Sequence, residues 1–136
     1  MDATKTMLIS AAGLRAQGQR MRLIAENLAN ASTLPMSPDE DPFRRKLSSF
    51  QNVLDRHLGV RLVKAGRIRT DPSEFSVKFH PDHPGADERG YVRLPNVNAL
   101  VETMDMREAQ RSYEANLTMI EAVKQMMMRT IDLLRT

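Results

Sequence analysis

The residues best suited to chemistry crowd into one short stretch. His80-Pro81-Asp82-His83 sets two imidazoles and a carboxylate close together, with Asp87 and Glu88 beyond, and that is a ligand set for a divalent metal. Proline inside the motif works against the helix that aligns histidine ligands on one face in zinc enzymes. His80 to Gly90 is therefore expected to be an exposed loop, and no metal site is assigned to it. The third histidine, His57, stands alone in a charged stretch. Nucleophilic catalysis is less well supplied: there is no Cys and no Gly-x-Ser-x-Gly elbow, and the serines have no obvious base and orienter. Asp39-Glu40-Asp41 pairs carboxylates in a proline-flanked loop, where solvation is the default, and no glycine-rich loop exists to cradle a phosphate. Asn30-Ala31-Ser32 matches a glycosylation sequon, a tripeptide common by chance. The longest basic run, Arg44-Arg45-Lys46, is read as a solvated turn or strand edge in preference to a phosphate site. The expectation is a protein that is not an enzyme, with no catalytic residue and no cofactor.

The elements that would carry these residues are two long helices and a broken middle. Residues 4–29 repeat Met7, Ala11, Leu14, Gly18, Met21, Ala25 and Leu28 at alternating spacings of four and three, the period of a helix with one packed face. Asp2 or Thr4 would cap it, and Asn30 to Pro35 would end it. The small residues Ala11, Gly18 and Ala25 leave places where another helix comes close. Residues 100–135 repeat Met106, Ala109, Tyr113, Asn116, Ile120, Val123, Met127, Thr130 and Leu134, with Arg107, Arg111, Glu114, Glu121, Gln125 and Asp132 on the other face. Asn116 within that stripe is either a residue that fixes register and partner number or a partly exposed flank.

Between the helices fall all seven prolines, punctuating short segments. Val60 and Leu62, then Phe75, Val77 and Phe79, alternate with polar residues as strands do. Phe43, Leu47, Phe50 and Leu54 have helical spacing behind Asp41 and Pro42, so helix and strand both stay open for 43–54, with Gly59 as a possible helix stop. The predicted fold is mainly α: two terminal helices packed as an antiparallel coiled-coil-like pair, 1–34 with 97–136, and a small β-rich insertion, 35–96.

Composition excludes more than it selects. The 136 residues suit one domain, or a helical domain with an insertion. Twenty basic and 17 acidic side chains give a net charge of +3, too balanced to name a partner. Ten methionines with 4% aromatics predict an aliphatic, thioether-rich core. No apolar run approaches the ~18 residues of a membrane span, so no direct membrane insertion is expected. Met1 to Ser10 lack the features of a cleaved secretory signal.

Two segments carry a resemblance that spacing alone does not supply. Leu14-Arg15-Ala16-Gln17 followed by Ile24-Ala25-Glu26-Asn27-Leu28-Ala29-Asn30-Ala31-Ser32-Thr33 resembles the Asn-Leu-Ala-Asn-x-x-Thr signature of flagellar rod, hook and related axial proteins. Gly90-Tyr91-Val92-Arg93-Leu94-Pro95-Asn96-Val97-Asn98, Glu102-Thr103-Met104-Asp105-Met106 and Arg111-Ser112-Tyr113-Glu114-Ala115-Asn116 are similar to a proximal-rod member of that family. His80 to Asp87 resembles its His-Pro-x-Ala-Asp loop, with Phe79-His80 where the family has Tyr followed by an acid. The resemblance implies a structural subunit of the proximal rod that assembles helically with other rod proteins and copies of itself. Such a subunit transmits torque, forms the wall of the export channel, and is exported without a cleaved signal through the flagellar type III apparatus to the periplasm-spanning rod.

It also implies structural and interface roles. Leu14, Met21, Leu28, Met106, Tyr113, Asn116, Ile120, Val123 and Met127 would pack, Asn27, Asn30 and Thr33 would close the first helix, and Tyr91, Pro95, Asn96 and Asn98 would lead into the second. Two other readings compete. A nucleic-acid module would need Arg15, Arg20, Arg22, Lys124, Arg129 and Arg135 on one face, whereas the resemblance implies no nucleic-acid partner. A metal hydrolase would use His80 and His83.

Overall fold

The computed structural model describes residues 2–135. Helix α1 runs Ala3–Ala29 and helix α2 runs Ala99–Leu134. At 1.5 Å per residue they are about 40 and 54 Å long. Their ends follow from local chemistry. Asp2 Oδ1 accepts the Thr4 amide at 3.0 Å, capping α1. Asn30 closes it by donating Nδ2 to the Glu26 carbonyl at 2.9 Å. Asn98 caps α2, its Oδ1 accepting the Leu100 and Val101 amides at 3.0 and 3.3 Å.

Six short strands lie between the helices: β1 Lys46–Leu47, β2 Phe50–Asp55, β3 Val60–Ala65, β4 Arg69–Thr70, β5 Val77–Phe79 and β6 Tyr91–Arg93. They form three antiparallel pairs, β1 with β4, β2 with β3 and β5 with β6. The 43–54 segment thus contains strands in place of a helix. Leu47 pairs with Arg69 and Phe50 with Ala65, and cross-strand bonding settles what helical spacing left open. Gly59, at φ +64°, turns the β2–β3 hairpin. Val60 and Leu62 lie in β3, and Val77 and Phe79 in β5, as their alternation predicts, while Phe75 falls before β5.

The chain divides into two compact units, Met1–Met21 with Ser49–Arg67 and Arg107–Thr136, and Arg22–Ser48 with Ile68–Met106. The first unit packs the start of α1 on α2 and carries the β2–β3 hairpin. Its buried residues, Ser10, Ala12, Gly13, Ala16, Ala109 and Val123, are mostly small. A Cβ on Gly13 would lie 2.7 Å from Asn116 Oδ1, so the glycine leaves the space that this amide fills. The second unit buries Leu23, Ile24, Asn27, Val92 and Glu102 around the end of α1 and the start of α2. Its 80–90 loop is cross-braced by Asp87, which accepts the Arg89 and Tyr91 amides at 2.9 Å each.

Two expectations are corrected here. No methionine is buried among the described residues, so the core is aliphatic but not thioether-rich. The buried helix positions go mainly to small residues, and the methionines stand at half-buried or exposed ones. Along α1 the buried residues are Ser10, Ala12, Gly13, Ala16, Leu23, Ile24 and Asn27, none of them in the predicted stripe, while Leu14, Met21 and Leu28 are half-buried. The apolar line did not mark the buried positions, which in the first half of the helix go to the small residues Ser10, Ala12, Gly13 and Ala16. In α2 the predicted stripe holds through Val123, and every described residue after it is exposed.

Candidate assembly surface

Within the second unit, one arginine gathers the chain. Arg45 donates Nε to Glu102, Nη1 to Asp71 at 3.5 Å and Nη2 to Asp105 at 3.4 Å. Its backbone amide donates to Asn96 Oδ1 at 2.7 Å, and its carbonyl accepts the Asp71 amide at 2.8 Å. Asn27 is fully buried and works as a piece of strand: Oδ1 accepts the Lys46 amide and Nδ2 donates to the Lys46 carbonyl, both at 2.9 Å. The same Nδ2 reaches Glu102 at 3.1 Å. Glu102 is only 1% exposed, so its charge is compensated by Arg45 and Asn27 instead of water. Lys46 pairs with Glu26.

Two groups in this cluster titrate away from their ordinary values. Burial works to lower the pKa of Arg45, but bonding to Glu102 and then Asp71 outweighs it and raises the guanidinium further. The Asp71 carboxyl is held below its ordinary value first by hydrogen bonds from the Ser73 backbone and side chain and then by Arg45, with burial acting the other way. Immediately before Arg45 in the chain, Arg44 stacks over the Phe75 ring at 4.3 Å and donates to the Asp71 and Ser73 carbonyls at 2.9 and 3.1 Å.

In the first unit, successive contacts pair rising positions of α1 with falling positions of α2. Gly13 meets Asn116, and Arg20 pairs with Glu108 at 3.2 Å. Near the start of α1, Ala3 and Thr6 line an open apolar groove with Met119, Val123, Met126, Met127, Thr130 and Ile131. Much of it is uncovered: Met126 is 61% exposed and Ile131 50%.

Comparison with known proteins places these features in one family. Residues 88–133 match the family described as flagellar basal body rod FlgEFG protein C-terminal. The chain is 43% identical over 127 residues to the flagellar basal-body rod protein FlgC of Agrobacterium fabrum, covering 93% of this chain and 91% of the relative. It is 40% identical to FlgC of Aquifex aeolicus, over 97% of both chains, and 34% identical to FlgC of Bacillus subtilis, over 98% of this chain and 99% of the relative. The chain belongs to the FlgC family of flagellar basal-body rod proteins. It is a structural protein of the rod, and no helix among its described residues is long and apolar enough to cross a membrane.

In this FlgC-family chain the residues singled out from sequence fall into four groups. Asn27, Asn96 and Asn98 are anchors: Asn96 Nδ2 donates to the Asp71 carbonyl at 3.0 Å and to Ser73 Oγ at 3.0 Å. Asn27 reaches Lys46, 19 positions away, where the turn after α1 was expected. Asn30 and Thr33 stay at that turn, the Thr33 hydroxyl donating to Asn30 Oδ1 at 3.4 Å. Pro95 is buried, and Tyr91 meets the Phe79 ring edge-on with centroids 5.3 Å apart. Met106, Tyr113, Asn116 and Ile120 are half-buried on α2, Val123 is buried and Met127 lines the groove.

The motifs that suggested other chemistry have local roles. His83 Nδ1 accepts the Gly85 amide at 3.0 Å and its ring lies edge-on to His80 at 5.6 Å, while no group of three possible metal ligands exists among the described residues. Of the basic residues, Arg20 is paired with Glu108. Sequence reasoning missed Arg45 and Glu102 as partners. A basic residue beside a strand and an acid in a first helical turn are both commonplace, and nothing in spacing couples positions 57 apart.

Proposed function

We propose that the chain is a subunit of the proximal rod that assembles helically with other rod proteins and with copies of itself, transmits torque and forms part of the export-channel wall. In this reading it travels through the flagellar type III export apparatus without a cleaved signal. The segments 1–34 and 97–136 form its inner helical domain with coiled-coil-like packing, and 35–96 forms its outer insertion. The observation that carries the reading is the uncovered apolar stripe on the last third of α2, which includes Met126, Ile131 and Leu134, the last 82% exposed. A stripe of that kind needs partners. A contact between unlike surfaces that fails to close into a ring propagates as a helical filament, and many such contacts in parallel resist torque.

The test replaces Met126→Asp together with Ile131→Asp. Both side chains are exposed, so the isolated chain is expected to keep its circular dichroism and melting curve. Cells carrying the variant are expected to lack complete rods and to lose motility. Normal swimming with complete basal bodies would sink the proposal.

A further inference from the structure

The sulfur in this chain is all thioether: ten methionines, no cysteine, and no tryptophan to compete for oxidant. None of those thioethers lies in the described core, and three of them, Met119, Met126 and Met127, stand on the lining of the apolar groove. They are 49, 61 and 39% exposed. The polar side chains of that lining are Thr6 and Thr130, and both hydroxyls are already spent. Thr6 donates to the Asp2 carbonyl at 3.2 Å and Thr130 to the Met126 carbonyl at 2.9 Å. A sulfoxide oxygen created here would be a strong acceptor with no donor waiting in the groove.

We infer that Met119, Met126 and Met127 form an oxidation-sensitive site through which a peroxide-class oxidant stops a free subunit from assembling. The inference rests on the assembly role proposed for this stripe. In the step, a lone pair on the thioether sulfur attacks one peroxide oxygen and the O–O bond breaks. The S–O bond forms, and the proton of the transferred oxygen passes to the departing hydroxide. Sulfur is oxidised by two electrons, hydrogen peroxide is reduced to water, and nothing else is needed. The product is polar and stands where the stripe must be dried, so covering it strands an acceptor. A subunit already in place has its stripe covered, so the site acts before incorporation, and enzymatic reduction of the sulfoxide restores the thioether.

The experiment follows self-association of the purified full-length chain by sedimentation across a concentration series, before and after hydrogen peroxide, with sulfoxide at each methionine measured by mass spectrometry. Met36 and Met104, 70 and 63% exposed and not among the groove's lining residues, are internal controls for oxidation elsewhere. The expected result is a rise of about tenfold or more in the concentration at half-association, the size of effect that an unpaired buried acceptor produces. Treatment with methionine sulfoxide reductases is expected to reverse it. A variant with Met119→Leu, Met126→Leu and Met127→Leu keeps the stripe apolar and is expected to associate normally after peroxide. Full sulfoxidation of the three with unchanged association overturns the inference while leaving the assembly role intact, as does an equal loss in the leucine variant. A chain that never self-associates before treatment overturns the self-assembly reading, and this inference with it.

Discussion

Arg45 shows how one side chain substitutes for a core in a chain of small hydrophobes. Its guanidinium spans Glu102, Asp71 and Asp105 while its backbone holds Asn96 and Asp71, so five separate bonds converge on one residue. Removing one partner of a buried pair costs more than the pair contributes, because the other charge is left without compensation. Glu102→Ala is expected to destabilise the chain by ~3 kcal/mol. Arg45→Met, Glu102→Leu and the double variant, compared in urea, are expected to show that the second substitution costs much less once the first is made; strictly additive losses would contradict a shared network. Asp71 adds a dependence on pH. Its folded pKa lies below the unfolded value, so its stabilisation is fully present above the unfolded pKa of about 4 and is lost as pH falls through the folded one. The stability gap between the wild-type chain and Asp71→Asn is therefore expected to shrink as pH falls below about 4. A gap that stays constant into stronger acid would mean that Asp71 gains nothing from Ser73 and Arg45.

At the scale of elements, the helix ends were legible because capping is local. Asp2 and Asn30 each act within four residues of themselves, so their types and positions suffice, whereas Asn98, equally local in its bonding, was named through the family resemblance. Asn98→Ala is expected to cost ~1 kcal/mol, read as a lower melting temperature, whereas Asn98→Asp is expected to restore most of it. Identical losses in both would show that the side chain does not cap. The stripe of α2 was legible through Val123 because its apolar residues are the buried or half-buried ones, Ala109 and Val123 buried and Met106, Tyr113 and Ile120 half-buried. On α1 the same reasoning missed the buried positions, since several of them go to small residues, Ser10, Ala12, Gly13 and Ala16, and size signals weakly in an apolar count. The Asn27 bridge to Lys46 and the strands within 43–54 depend on segments that meet only in the fold, and no periodicity along the chain encodes them.

At the scale of the whole molecule, each compact unit draws on a stretch of both helices, yet burial along α2 stops at Val123. From Lys124 to Arg135 every side chain is exposed, and a helical stretch of that length receives little stability from its own hydrogen bonds in water. What the stretch carries instead is apolar surface, Met126, Met128, Ile131, Leu133 and Leu134 among charges. A segment that adds little to the fold but presents such a surface serves contacts outside its own chain. Removing residues 126–136 is thus expected to leave the cooperative unfolding transition within a few degrees of the full chain, because none of the described residues lost is buried. Cells expressing the truncated chain are expected to have no complete rods, even when the chain accumulates to the normal level. A large drop in melting temperature would mean that the segment belongs to the fold of its own unit. Normal rods built from the truncated chain would mean that the stripe is not the surface on which the subunits meet.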